Sequence, residues 1–224
     1  MTTIRTVAAH EIVRATFPRP ITEKDELGMA VGKAIDGALS EASYDFSLGR
    51  RPTKAALQRA ATELLDRELL DVHLDLPAGE RARQLTQIEG VLAAYRKSGL
   101  MGLTRPKSRL ILIAEQVGIY AQPDFWDRKA RIYEMKSYHP IPTPPDVRLQ
   151  LELFQLAFPG FRTFLACFDR HATPVTASLE EIPPIADEAA RDVLRSAHRI
   201  GLSQGVEKVV EYIDSPTVRY PLPP

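Results

Sequence analysis

Between Arg109 and Tyr138, three short runs rich in β-branched and aromatic residues follow one another: LILIA, GIYAQPDFW and ARIYEMKSY. Runs of this length and composition read as strands, and segments of helical periodicity lie on both sides of them. The polar cluster Asp127-Arg128-Lys129 separates the second run from the third and is short enough for a hairpin loop. A chain built this way must pack helices against a sheet, which makes it α/β.

Upstream, Leu27 to Leu39 reads as a short helix, with Gly28 and Gly32 one turn apart for close packing. After Arg51-Pro52, Leu57, Ala60, Ala61, Leu64 and Leu65 keep a helical period. A third helix carries Leu85, Ile88, Leu92 and Tyr95, and Gly99 stops it. Downstream, the Pro-rich piece His139 to Pro145 is a rigid connection, with Pro144 or Pro145 suited to the first turn of a helix. That helix, VRLQLELFQLAF, has two apolar faces and ends at Pro159-Gly160. Phe161 to Phe168 reads as a buried strand, Ile185 to Gly201 as a final long helix, and a shorter helix and the extended tail SPTVRYPLPP follow. The expected architecture is one domain over residues 1–224 with a mixed central sheet flanked by helices. Residues 41–108 form a helical insertion near the N-terminus, 109–168 the sheet and helix that carry the chemistry, and 180–224 a C-terminal helical extension.

A chain of 224 residues with 44% apolar content can bury one sizeable core. Lys plus Arg and Asp plus Glu both count 29, so no global positive field advertises a nucleic-acid binder. From Arg96 to Arg109, however, Arg96, Lys97, Arg105, Lys107 and Arg109 occur without one acid, which reads as a local basic groove or as a solvated loop. The single cysteine, Cys167, excludes an intramolecular disulfide and any zinc or iron–sulfur thiolate cluster made by this chain alone. It is expected in the core. The N-terminal stretch lacks a signal-peptide run and the longest apolar runs are too short to span a bilayer, so the expected setting is a reducing cytoplasm with no membrane partner. There is no glycine-rich phosphate loop, no Gly-x-Ser-x-Gly and no dinucleotide fingerprint.

The chemistry concentrates on the third run. Side chains alternate along a strand, so Ile132, Glu134 and Lys136 share one face. Pro123 lacks a ladder donor and implies an edge or bulge that re-aims the next side chain, Asp124. If the two strands pair through the Asp127 loop, Asp124 falls near the level of Glu134. Two converging carboxylates make an oxygen site for Mg²⁺ or Mn²⁺. Beside them, Lys136 would orient a metal-acidified water and offset charge developing on a phosphodiester. Gln150 interrupts an apolar helix face and should be bonded to something specific. Other candidates have plainer roles: Asp127-x-Lys129 lies in a turn, Asp146 begins a helix, Glu89 faces solvent and His139 sits in a surface loop. Trp126 and Tyr138 flank the active strands, where they stack on bases or simply pack.

Pro123-Asp124 and, ten positions after Asp124, Glu134-Met135-Lys136 together resemble the hallmark of the PD-(D/E)XK nucleases. Ser137 after the lysine, and Gln150-Leu151-Glu152-Leu153-Phe154 in place of Gln-x-x-x-Tyr, are similar to the RecB-like exonuclease branch, which includes CRISPR-adaptation nucleases, though without their iron–sulfur cysteines. Gly28 to Gly32 matches the frame of the branch's Gly-x-x-x-His motif, with Gly32 standing where the metal-binding histidine would be. Asp36, one turn on, offers a substitute carboxylate, or the position goes unfilled. The resemblance implies a restriction-endonuclease-like fold and a hydrolase acting on phosphodiester bonds of nucleic acid, DNA favoured, whether exo- or endonuclease. It makes Asp124 and Glu134 metal ligands, Lys136 a catalytic residue and Gln150 a support for substrate, and a protein partner is expected to supply targeting. The alternative is a catalytically inactive nuclease-fold module that binds nucleic acid or a protein.

Overall fold

The computed structural model describes residues 3–100, 103–138, 142–209 and 216–221. β1 (Thr3–Ala8) leads directly into α1 (Ala9–Thr16). α2 (Glu23–Ser47) starts at a capping box in which Asp25 N donates to Thr22 Oγ1 at 3.2 Å and Thr22 N donates to Asp25 Oδ2 at 3.0 Å. α3 (Lys54–Asp71) begins at the Thr53 cap, and α4 (Ala78–Lys97) ends before Gly99, whose φ of +78° suits glycine. β2 (Arg109–Ile113), β3 (Val117–Ala121), β4 (Phe125–Asp127) and β5 (Arg131–Lys136) follow. α5 (Pro145–Ala157), with proline in its first turn, precedes β6 (Arg162–Asp169) and β7 (Thr176–Ile182). α6 (Asp187–Gln204), β8 (Val206–Val209) and β9 (Thr217–Tyr220) complete the described elements.

The chain is α/β, as expected, but its strands form two mixed sheets rather than one central sheet. Their orders are β8-β1-β3-β2-β9 and β4-β5-β6-β7. The run GIYAQPDFW, expected as one strand, is divided: Ala121 is the last residue paired with β2, and Phe125 is the first paired with β5. Pro123 explains the break, because it lacks the N–H that a continuing ladder needs. Among the described residues the C-terminal extension is helical only in α6; in place of the shorter helix, and within the extended tail, β8 and β9 form the two edges of the first sheet. β1 and β7 were not among the expected strands.

α5 is the element shared by the two layers. Leu153, Phe154 and Leu156 pack with Ile111, Ile113, Val117 and Ile119 of the first sheet and with Ile132 of the second, while Val147 and Leu151 pack with Leu165 and Cys167. Its two apolar faces thus reflect coverage from two directions, and Cys167 is a buried core residue. On the opposite face of the second sheet, Tyr133, Phe164 and Phe168 meet α2, α3 and α4 through Val31, Leu65, Leu92 and Tyr95. The C-terminal end of β5 therefore emerges between α5 and α2.

Candidate active site

The β4–β5 register sets Phe125 opposite Tyr133 and Asp127 opposite Arg131, so one step back the chain brings Asp124 to the level of Glu134. Asp124 Oδ2 accepts a hydrogen bond from Met135 N at 2.8 Å, which fixes the carboxylate against β5. Glu134 is only 4% exposed, and its Oε1 accepts from Lys136 Nζ at 2.6 Å. Lys136 Nζ also donates to Gln150 Oε1 at 3.2 Å. The other carboxylate oxygen, Glu134 Oε2, is buried and has no hydrogen-bond partner among the described residues. The four residues singled out in the sequence therefore come together, and the expectation that Gln150 has a specific partner is met by Lys136.

Asp36 joins them. It lines, with Asp124, Glu134, Lys136 and Tyr138, a cavity of about 820 Å³ between α2 and the ends of β5 and β6. Gly32 lines the same cavity, and no atom lies within 4 Å of where its Cβ would stand, so α2 leaves open room there. Arg105 Nη1 reaches Asp36 Oδ2 at 3.4 Å.

The charges are strongly interdependent. Burial pushes the Asp124 carboxyl well above the ordinary range, and the nearby Glu134 and Asp36 push it further in the same direction. Asp124 nonetheless faces the cavity and keeps partial access to solvent. Asp36 is also raised, chiefly by burial, with Arg105 opposing and Glu134 adding to the rise. Burial disfavours the charged form of Lys136, yet Glu134 and Asp124 hold its ammonium above the ordinary lysine value. Lys136 is therefore held as a cation that donates hydrogen bonds to Glu134 and Gln150.

Basic side chains share the cavity with these acids. Arg19, Lys24, Lys33, Arg170 and His171 line the same cavity. None belongs to a motif, and the one sequence signal for Arg170 is its place just past the end of a buried strand. The basic run 96–109 is dispersed instead. Arg96 and Lys97 are exposed at the end of α4, Arg105 turns to Asp36, and Arg109 lies 4.4 Å over the Phe158 ring.

The remaining candidates separate by their contacts. Asp127 organises its own turn, accepting from Lys129 N at 2.8 Å and from Arg131 Nε at 2.6 Å. Trp126 stacks on Phe161 with centroids 6.1 Å apart, which is a packing role. Tyr138 is 38% exposed at the cavity, Glu89 is exposed on α4, and Asp146 lies in the first turn of α5. His139 lies outside the described residues.

Whether a cation fits is decided by the donors. Among the described residues no group of three or more His, Cys, Asp or Glu side chains is arranged to hold a metal. Mg²⁺ commonly takes only one or two carboxylates, completing its shell with water and substrate oxygens. Asp124 and Glu134 meet that smaller requirement, with Glu134 Oε2 unpartnered and the carboxylates repelling one another.

No protein-family model and no curated protein matches the chain. A solved structure named "Crystal structure of SSO0001" is similar at 12% identity with a TM-score of 0.40, over 92% of this chain and 79% of that one. So distant a likeness carries no argument about function.

Proposed function

We propose that this protein is a divalent-metal-dependent nuclease that hydrolyses phosphodiester bonds, with DNA the favoured substrate. The observation that carries the reading is that Asp124, Glu134 and Lys136 line one cavity, with Gln150 hydrogen-bonded to Lys136 and the buried oxygen Glu134 Oε2 unpartnered among the described residues. Asp124 and Glu134 would hold Mg²⁺ or Mn²⁺, which supplies positive charge at a phosphate that otherwise repels an anionic nucleophile. Lys136, kept protonated by its acidic neighbours, orients the attacking water and offsets negative charge while the water oxygen bonds to phosphorus, its proton passes to solvent and the P–O bond to the leaving oxygen breaks, the leaving oxygen taking a proton from solvent. Gln150 keeps the ammonium aimed through its 3.2 Å hydrogen bond. Arg19, Lys24 and Lys33 favour a polyanion at the mouth.

Incubation with linear and circular DNA in Mn²⁺ tests this reading. Cleavage should fall roughly 100- to 1,000-fold in Lys136→Ala, the scale for losing one preorganised charge-stabilising donor. No cleavage with either metal, or unchanged cleavage in Lys136→Ala, would refute it. A second reading, an inactive module that binds nucleic acid or a protein partner, is favoured by the lack of a three-ligand metal group among the described residues. Titration calorimetry separates the two, since Mn²⁺ heat that disappears in Asp124→Ala contradicts the inactive module.

A further inference from the structure

Arg170 follows β6, just past the C-terminal end of the parallel pair β5–β6, where Lys136 is level with Cys167. Its guanidinium lies over the N-terminal part of α2, and a Cβ at Gly28 would stand 3.6 Å from Arg170 Nη2. Among the described residues its side chain makes one hydrogen bond, from Nη1 to Ser137 Oγ at 3.3 Å. Arg170 Nε is buried and has no hydrogen-bond partner among the described residues. No ion pair of the described residues includes Arg170. Burial lowers its basicity, with Tyr138 opposing and no carboxylate contributing.

Arg170 is half-buried, and a guanidinium partly withdrawn from water without a counter-charge is costly and normally paired. Its five donors form a rigid fork that matches two oxygens of a phosphate or carboxylate. The cavity also carries carboxylates, Asp25, Asp36, Asp124, Glu134 and Asp146 among them, yet none pairs with Arg170 among the described residues and none contributes to its shift. Ser137, which holds it, directly follows Lys136, so the fork stands next to the carboxylate–ammonium cluster.

We propose that Arg170 is the phosphate-binding arm of this cavity, receiving a phosphate of the nucleic-acid strand adjacent to the one attacked. The identity of the ligand rests on the nuclease reading; the need for an anion rests on the unpaired guanidinium.

The test is a fluorescence-anisotropy titration of the full chain with a short fluorescein-labelled single-stranded oligodeoxynucleotide. Ca²⁺ replaces Mn²⁺ to hold off cleavage, and the titration is repeated across salt concentrations. Arg170→Gln should bind roughly 10- to 100-fold more weakly, the scale of a lost charge-assisted hydrogen-bond pair, and its salt slope should fall by about 1. Arg170→Lys keeps the charge without the fork, so it should keep the slope and lose several-fold in affinity. Wild-type affinity and slope in Arg170→Gln overturn the proposal, as does a wild-type protein that does not bind the oligonucleotide. Should Arg170→Gln fail to fold by circular dichroism, unchanged affinity in Arg170→Lys overturns it. The two readings fail separately. Weakened binding in Arg170→Gln, in a protein that cleaves nothing with Mn²⁺, supports the arm and removes the nuclease. Cleavage by wild type with unaltered binding in Arg170→Gln does the reverse.

Discussion

Replacing Lys136 with methionine removes one positive charge and little volume, and the structure makes the consequence for stability large. Its partner Glu134 is 4% exposed, Lys136 is 18% exposed, and their contact is 2.6 Å, so solvent screens the pair weakly. After the substitution a buried carboxylate remains, with Oε2 already unpartnered and Asp124 and Asp36 close by. Breaking a buried pair from one side costs about 3–5 kcal/mol, a large part of the roughly 5–15 kcal/mol that holds a domain folded. Urea unfolding in EDTA at pH 7 should therefore show Lys136→Met destabilised by about that amount with an unchanged m-value. The double variant Glu134→Gln/Lys136→Met removes the stranded charge and should regain most of the loss. A loss under about 1 kcal/mol, the range of an exposed pair, or a double variant no more stable than the single one, would refute the reasoning.

Asp124→Asn keeps an acceptor for Met135 N but removes a carboxylate whose folded pKa is raised. The metal-free variant should be more stable than wild type at neutral pH, because a raised pKa contributes stability only while the group is protonated. The advantage should shrink as pH falls through that raised value, as paired urea titrations across pH would reveal; an advantage that widens on acidification contradicts the assignment. Gly201→Ala places a methyl group against Cγ1 of the fully buried Val117, where α6 packs on β3. A loss of about 1–3 kcal/mol is expected from overpacking, offset by up to about 1 kcal/mol of helix propensity. A thermal midpoint equal to wild type would show that the helix can shift freely.

Long periodic segments were readable in the sequence because their packing is one-sided and local. Leu57, Ala61, Leu65 and Leu69 all face the core of α3, and Ile88, Leu92 and Tyr95 do the same in α4. The edges were not readable. β7 is polar and exposed along nearly its whole length, so no apolar alternation marks it. β8 and β9 are short and become strands by pairing with β1 and β2, partners more than 100 residues away in the chain. The site was legible where backbone chemistry announced it: a proline before an acid, and an acid and a lysine two apart on a strand. Arg170 and the α2 lysines carry no such mark, since their meaning lies in which charges the fold brings opposite them.

The crossing at Gln122–Asp124 has a further consequence. Ala121 is locked to Arg109 in one layer and Phe125 to Tyr133 in the other, and Gln122 is tied to Pro106 O by a 2.7 Å hydrogen bond. The acid at the end of this three-residue bridge is located by main chain on both flanks rather than by rotamer choice, so the bridge works as a fixed gauge between the layers. Lengthening it by one residue should spoil Mn²⁺ uptake while both layers still fold, whereas the same insertion at the exposed tip Arg128–Lys129 should leave uptake unchanged.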